Sequence, residues 1–71
     1  MTYAIVVEKG DTSYGAYVPD LPGCVAAAET RDEVLKLIKE AIEFHLEGIQ
    51  ADGEPIPKAH SEMEYVDVLV G

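Results

Sequence analysis

Hydrophobic and polar residues alternate in several short stretches that predict β-strands. Residues 3–9 and 14–18 are rich in β-branched and aromatic side chains, and the Gly, Asp, Thr and Ser residues between them indicate a hairpin turn. Residues 24–28 predict a third strand, although their three alanines have a low strand propensity. Residues 65–70 alternate again, with three valines on one face, and predict a fourth strand.

A long amphipathic segment between the third and fourth strands predicts a helix that ends near residue 51. Thr30 and Glu33 have the spacing of a capping box, in which the Thr30 hydroxyl accepts from the backbone of Glu33. Gly53 offers a left-handed terminator, and the two prolines after it forbid continuation. We therefore assign structural roles at the two helix ends to Thr30, Glu33 and Gly53.

Three antiparallel strands, a helix and a last strand predict an α+β fold. A right-handed crossover from the third strand would place the fourth strand parallel to the first, at its free edge. The expected architecture is a mixed four-stranded sheet of order 3-2-1-4 with one helix on one face. Because 71 residues leave room for one core, we expect a single domain over residues 1–71.

The apolar stripe of the helix is wider than the covering of one sheet requires. Its flanks are left over for a second surface, and they comprise Leu35, Leu37, Phe44 and Leu46. A chain of this length buries little surface, and its one cysteine cannot form an internal disulfide. We therefore expect a homo-oligomer, a dimer or a tetramer. The alternative is that the connector, residues 54–64, folds back over these flanks.

The charge of the chain bears on its partners. Fourteen acidic against five basic residues give a net charge of −9, which repels phosphate backbones and predicts no direct binding of nucleic acid. A basic protein partner fits this sign, although solubility alone would also explain the acidity. The sequence shows neither a signal peptide nor an apolar run long enough for a bilayer, so we expect a cytoplasmic protein without membrane contact.

Few residues suggest chemistry. His45 falls in the apolar stripe without a partner pattern, and His60 lies alone on the connector, so we interpret His45 as structural. Cys24 has no neighbouring base that would activate its thiol, and a structural role in the strand is expected for it too.

Carboxylates need separate attention, because a sheet of this order with a helix also begins the ribonuclease H-like fold, whose catalysis uses carboxylates to hold two metal ions. The candidates are Glu8, Asp20 and Asp67. They do not obviously converge at one end of the sheet. We therefore predict no catalytic residues, no metal, no cofactor and no enzymatic activity.

Two motifs, together with the distance between them along the chain, resemble the HicB-like antitoxin family over about residues 3–70. One is the turn made of Pro19, Asp20, Leu21, Pro22, Gly23 and Cys24. The other is the helix exit over residues 52–57, with the sequence Asp-Gly-Glu-Pro-Ile-Pro. The resemblance implies a partial ribonuclease H-like domain, β-β-β-α-β, that lacks the catalytic apparatus. It further implies an antitoxin that neutralises a small, basic, RNA-cleaving HicA-like toxin by occluding it.

Many members of that family also carry a C-terminal DNA-binding segment, and the sequence stops at Gly71 without one. We therefore expect a short, stand-alone member that does not repress its own operon alone. The six turn residues are expected to fix a chain reversal, and Asp20 or Leu21 could protrude toward a partner. Two other hypotheses stay open, an oligomeric regulator or scaffold and a metal-dependent nuclease.

Overall fold

The computed structural model describes residues 1–70, which contain three strands and one helix. Strands β1 (Val6–Lys9), β2 (Tyr14–Tyr17) and β3 (Val25–Ala28) precede helix α1 (Arg31–Ala51). β2 is central and pairs antiparallel with both neighbours, so that the sheet order is β1-β2-β3. The last residue of β2, Tyr17, lies opposite Val6 on one side and Val25 on the other.

Local sequence signals set both ends of α1. The Thr30 hydroxyl accepts a hydrogen bond from the backbone N–H of Glu33 at 3.1 Å. At the other end Gly53 has a φ of +74°, its N–H donates to the carbonyl of Gln50 at 3.0 Å, and that of Glu54 donates to Ile49 at 3.1 Å. These two bonds form a Schellman motif, which turns the chain out of the helix. The helix therefore ends where the sequence predicts.

The core lies between α1 and the strands β2 and β3, which the helix covers more fully than β1. Its buried residues come from the sheet, from the loop after β2 and from the helix, and they are Ala16, Val18, Leu21, Cys24, Val34 and Ile38. Ala26 and Ala28 of β3 pack beside them, and their small side chains let the helix approach this side of the sheet. Because α1 is displaced away from β1, its flank at Leu35, Ile42 and Leu46 stays only half-buried.

The prediction of a fourth strand is wrong. The β-β-β-α-β order, the mixed sheet of order 3-2-1-4 and the partial ribonuclease H-like fold all require that strand, so these predictions are wrong as well. Residues 65–70 pair with no strand in the described part of the chain. Their apolar side chains are exposed, from 74% for Val68 to 104% for Leu69. Alternation reports a tendency toward extended structure, whereas a strand also needs a partner edge in register. We call residues 65–70 the C-terminal arm.

Within residues 1–70, no helix is both long enough and apolar enough to cross a bilayer. The polar face of α1 is charged, and the apolar face packs on the protein's own sheet.

Candidate functional site

The loop between β2 and β3 is built from two consecutive tight turns. The N–H of Leu21 donates to the carbonyl of Val18, and the N–H of Cys24 donates to the carbonyl of Leu21, each at 3.1 Å. A third bond, from Val18 N–H to the carbonyl of Cys24 at 3.2 Å, closes the base of the loop. Gly23 has a φ of +83°, as the third position of a type II turn after Pro22 requires. The sequence prediction of this turn is therefore confirmed.

This loop has an outer and an inner side. Pro19, Pro22 and Gly23 are exposed, whereas the other three residues of the predicted motif are buried: Asp20, Leu21 and Cys24. Leu21 is 1% exposed and belongs to the core. Burial also raises the pKa of the Cys24 thiol, which keeps it protonated and unreactive. Only the outer side of the loop is free to touch a partner.

Asp20 binds the connector through a set of contacts that we call the Asp20 clasp, made of Asp20, His60 and Ser61. Its Oδ2 accepts from the backbone N–H of His60 at 2.9 Å and of Ser61 at 3.0 Å. Its Oδ1 accepts from the Ser61 hydroxyl at 2.6 Å and lies 3.0 Å from Nδ1 of His60. Both oxygens of a buried carboxylate are thus satisfied by one short stretch of the chain.

The electrostatics of the clasp fix its protonation. The Ser61 hydroxyl contributes most to lowering the pKa of Asp20 to about 2, followed by the N–H of Ser61. Desolvation opposes them, while the N–H and ring of His60 act in the same direction. Nδ1 of His60 lies near two acceptors, Asp20 Oδ1 at 3.0 Å and the carbonyl of Lys58 at 3.3 Å. The lowered pKa keeps Asp20 ionised at neutral pH, where its carboxylate holds the connector against the loop.

A second contact holds the connector at a point closer along the chain to the end of α1. The Tyr3 hydroxyl donates a hydrogen bond to the carbonyl of Pro57, and Ile56 and Pro57 are half-buried. Together with the clasp, this contact fixes where the C-terminal arm leaves the body of the protein. Sequence reasoning missed the clasp, because about forty residues separate Asp20 from His60 and Ser61 and no local pattern links them.

The two flanks of the helix stripe have different surroundings. Leu37 and Phe44 lie seven residues apart, two helical turns, and are exposed, Phe44 by 79%. Three acids stand three or four residues from them on adjoining turns: Glu33, Glu40 and Glu47. We call these five residues the Phe44 face. His45, on the side of the helix toward the sheet, is half-buried.

The opposite flank borders an open groove beside β1, which we call the β1 groove. It comprises two adjoining cavities of about 500 and 360 Å³, and both are lined by Ile5 and Leu35. Leu46 lies at one end, and the basic residues Lys9 and Arg31 lie at the other. The four residues predicted for self-association thus divide into two pairs, one on the Phe44 face and one in this groove.

The carboxylates considered for a nuclease site do not form one. Asp20 is engaged in the clasp, Glu8 is exposed on β1, and Asp67 is exposed on the arm. Among residues 1–70, no group of three or more His, Cys, Asp or Glu side chains is placed to hold a metal ion. The described acids are otherwise spread over the surface, where all of them except Asp20 are exposed.

A three-stranded antiparallel sheet covered by one helix places the chain in the class of small α+β domains. The chain belongs to the HicB-like antitoxin family of bacterial toxin–antitoxin systems, whose family model matches residues 3–68. This match confirms the resemblance seen in the loop and helix-exit motifs.

Relatives and solved structures agree with this assignment. The chain is 42% identical over 67 residues to a 14.9 kDa protein of Haemophilus phage HP1, covering 94% of this chain and 50% of that protein. It is 35% identical to a UPF0150 protein of Synechocystis, covering 96% and 87%. The N-terminal domain of the antitoxin HicB of Burkholderia pseudomallei superposes with a TM-score of 0.75 at 39% identity, covering 82% and 69%.

A chain of a HicA3–HicB3 toxin–antitoxin complex is also similar, with a TM-score of 0.71 and 30% identity, covering 84% of this chain and 70% of that chain. Coverage differs among the relatives, and this chain spans only half of the length of the phage protein. The family model's match over residues 3–68 includes the sheet, the helix and the loop between β2 and β3.

Proposed function

We propose that this chain binds a small, basic, RNA-cleaving toxin of the HicA-like kind and neutralises it by covering the surface that binds RNA. Membership in the HicB-like antitoxin family supports this proposal, as does the similarity to a chain of a toxin–antitoxin complex. The net charge of −9 supports it physically, because an RNA-binding surface is positive and attracts an acidic partner.

The exposed Phe44 is the observation that carries the proposal. An aromatic side chain that is 79% exposed is available as an anchor for a pocket on a partner, and aromatic residues dominate the binding energy of many interfaces. Leu37 extends the apolar patch, and the acids of the Phe44 face surround it with charge opposite to that of the toxin. An apolar centre with a charged rim is the usual organisation of a protein interface.

We further propose that the outer side of the loop is a second contact. Pro19, Pro22 and Gly23 are held by three backbone bonds and by the buried Asp20 and Leu21. A loop that is already rigid loses little conformational entropy on binding, which favours its use in recognition. In this role the protein acts without catalysis, without a cofactor and without contacting nucleic acid itself. Because the toxin acts on RNA, we place the pair in the cytoplasm.

An RNA-cleavage assay tests the proposal. The genes next to this chain's gene are first searched for one that encodes a small basic protein. That protein is purified and mixed with an RNA substrate, and the chain is added in increasing amounts. We expect inhibition at equimolar ratio. Phe44→Asp should weaken inhibition at least about tenfold, because it places a charge at the centre of the contact. Val25→Asp on β3 is the matched control, since Val25 is also exposed and should tolerate the change.

The two variants also define what contradicts the proposal. If Phe44→Asp inhibited RNA cleavage as fully as the wild type, the Phe44 face would not be the surface that binds the toxin. Undiminished RNA cleavage in the presence of an excess of the folded wild-type chain would remove the antitoxin role itself.

A second function, that of an oligomeric regulator or scaffold, is favoured by a different observation. The C-terminal arm exposes apolar side chains that a lone subunit leaves in water. This surface points to self-association, whether or not a toxin is bound.

A further inference from the structure

The C-terminal arm is the most apolar exposed segment of the protein. Tyr65, Val66, Val68, Leu69 and Val70 are each exposed by at least 74%. Scattered exposed hydrophobic residues are normal, but a contiguous run marks a surface that normally contacts something. Asp67 is the one charged residue of the arm, and Glu64 directly precedes the arm. The segment is therefore apolar and carries a small negative charge.

The β1 groove has the complementary properties. Its walls are aliphatic, with Ile5 and Leu35 lining both of its cavities. Its lining includes Lys9, Arg31 and Lys39, three of the five basic residues in a chain of net charge −9, and one acid, Glu43. Residues 3–9 border it, and at about 3.3 Å per extended residue these seven residues measure about 23 Å, enough to accommodate the six-residue arm of about 20 Å.

The arm does not fill the groove of its own subunit. Its root at Met63 and Tyr65 lies at the side of the groove, where the clasp holds the preceding residues in place. Beyond the root the arm projects outward. The radius of gyration is accordingly 14.3 Å, against about 11 Å for a compact chain of this length, and the longest dimension is 52 Å.

We propose that the β1 groove binds the C-terminal arm of a second copy of this chain, and that two copies exchange arms reciprocally around a two-fold axis. Each copy has one groove and one arm, so a closed dimer satisfies both at once, and exchange of identical segments is a low-cost route to such dimers. The valine face of the arm packs on Ile5 and Leu35, and Glu64 continues that face toward the basic rim. Asp67 lies on the opposite face and adds to the negative charge of the arm.

This second interaction does not depend on the antitoxin role, because it uses the opposite flank of α1 from the Phe44 face. It explains why the helix stripe is wide on both sides of its buried centre. Leu35 and Leu46 serve the dimer, and Leu37 and Phe44 remain free for another protein.

Sedimentation equilibrium at micromolar concentration tests the proposal on the full chain. The wild type should sediment with twice the subunit mass of 7.7 kDa. Val68→Asp places a charge against the groove at both contacts of the symmetric dimer. A tenfold loss of affinity at each contact would weaken dimerisation about a hundredfold. Its far-UV circular dichroism should be unchanged, because Val68 is exposed in the subunit. Phe44→Asp is the control and should remain dimeric.

A charge exchange separates arm exchange from other modes of association. Lys9→Glu with Arg31→Glu places an acidic rim against an acidic arm, and Glu64→Lys with Asp67→Lys places a basic arm against a basic rim. Each double variant alone should dimerise at least about tenfold more weakly than the wild type, because like charges meet at both contacts. Mixing the two should restore a heterodimer, because each arm then meets a rim of opposite charge.

A monomeric wild type overturns the proposal, as does a Val68→Asp variant that dimerises like the wild type. Dissociation by Phe44→Asp alone would move the self-contact to the other flank of the helix. If the mixed variants form no heterodimer, the arm does not enter the groove of a second copy. Loss of toxin inhibition in Phe44→Asp with an intact dimer is the result that the proposed function expects, and full inhibition by that variant would contradict the proposed function alone.

Discussion

Leu21→Ala is the sharpest test of how the loop is organised. Leu21 is 1% exposed and packs in the core that includes Val34 and Ile38, although it lies in the middle of a loop motif. Truncating a buried leucine costs about 2–5 kcal/mol, partly through lost transfer free energy and partly through the cavity that remains. A domain of this size has about 4–11 kcal/mol of stability in total. The change should therefore remove about half of the free energy of unfolding.

Urea denaturation followed by circular dichroism measures this loss, with every variant at the same protein concentration. Leu37→Ala is the matched control, since it makes the same chemical change at an exposed helix position and should cost about 1 kcal/mol or less. If Leu21→Ala kept the wild-type midpoint and lost only partner binding, Leu21 would be a contact residue. The assignment of an inner and an outer side to the loop would then be wrong.

Three further outcomes follow from the same contacts. Asp20→Asn should open the connector to limited proteolysis near His60, because a neutral amide cannot accept from all four donors of the clasp. The pKa of Asp20 falls from 3.8 to about 2 on folding, so its stabilising contribution is complete above pH 3.8 and is lost as the pH falls toward 2. The urea midpoint of the wild type should therefore decrease over this pH range, and that of Asp20→Asn should lack this decrease. Thr30→Ala should lower stability by about 1 kcal/mol in the same denaturation assay, because it removes the acceptor for Glu33.

The features that the sequence could predict are those set by neighbouring residues. Thr30 and Gly53 determine the helix ends through contacts within a few positions, and Pro22 with Gly23 determines a turn through backbone angles alone. The surplus apolar flanks of the helix were also visible, because a helix repeats about every 3.6 residues whatever its surroundings.

What the sequence could not determine depends on residues far apart in the chain. Strand character in residues 65–70 was inferred from alternation, but pairing requires an edge in register, and the described chain pairs its three strands without that segment. The burial of Asp20 likewise depends on His60 and Ser61, which no spacing rule connects to it. The division of the helix flanks followed only from the displacement of α1 toward β3, which the small alanines of that strand allow.

The two-sided loop has a consequence for how such proteins could diversify. Its inward residues, Asp20 and Leu21, hold the subunit together, so any change there is felt as lost solubility or misfolding before it is felt as altered recognition. The outward residues, Pro19 and Pro22, do not pack in the core, and their structural role is limited to the backbone turns. If the outer side of this seven-residue loop contacts a partner, as proposed above, substitutions at Pro19 and Pro22 can alter binding while the buried side keeps the fold unchanged.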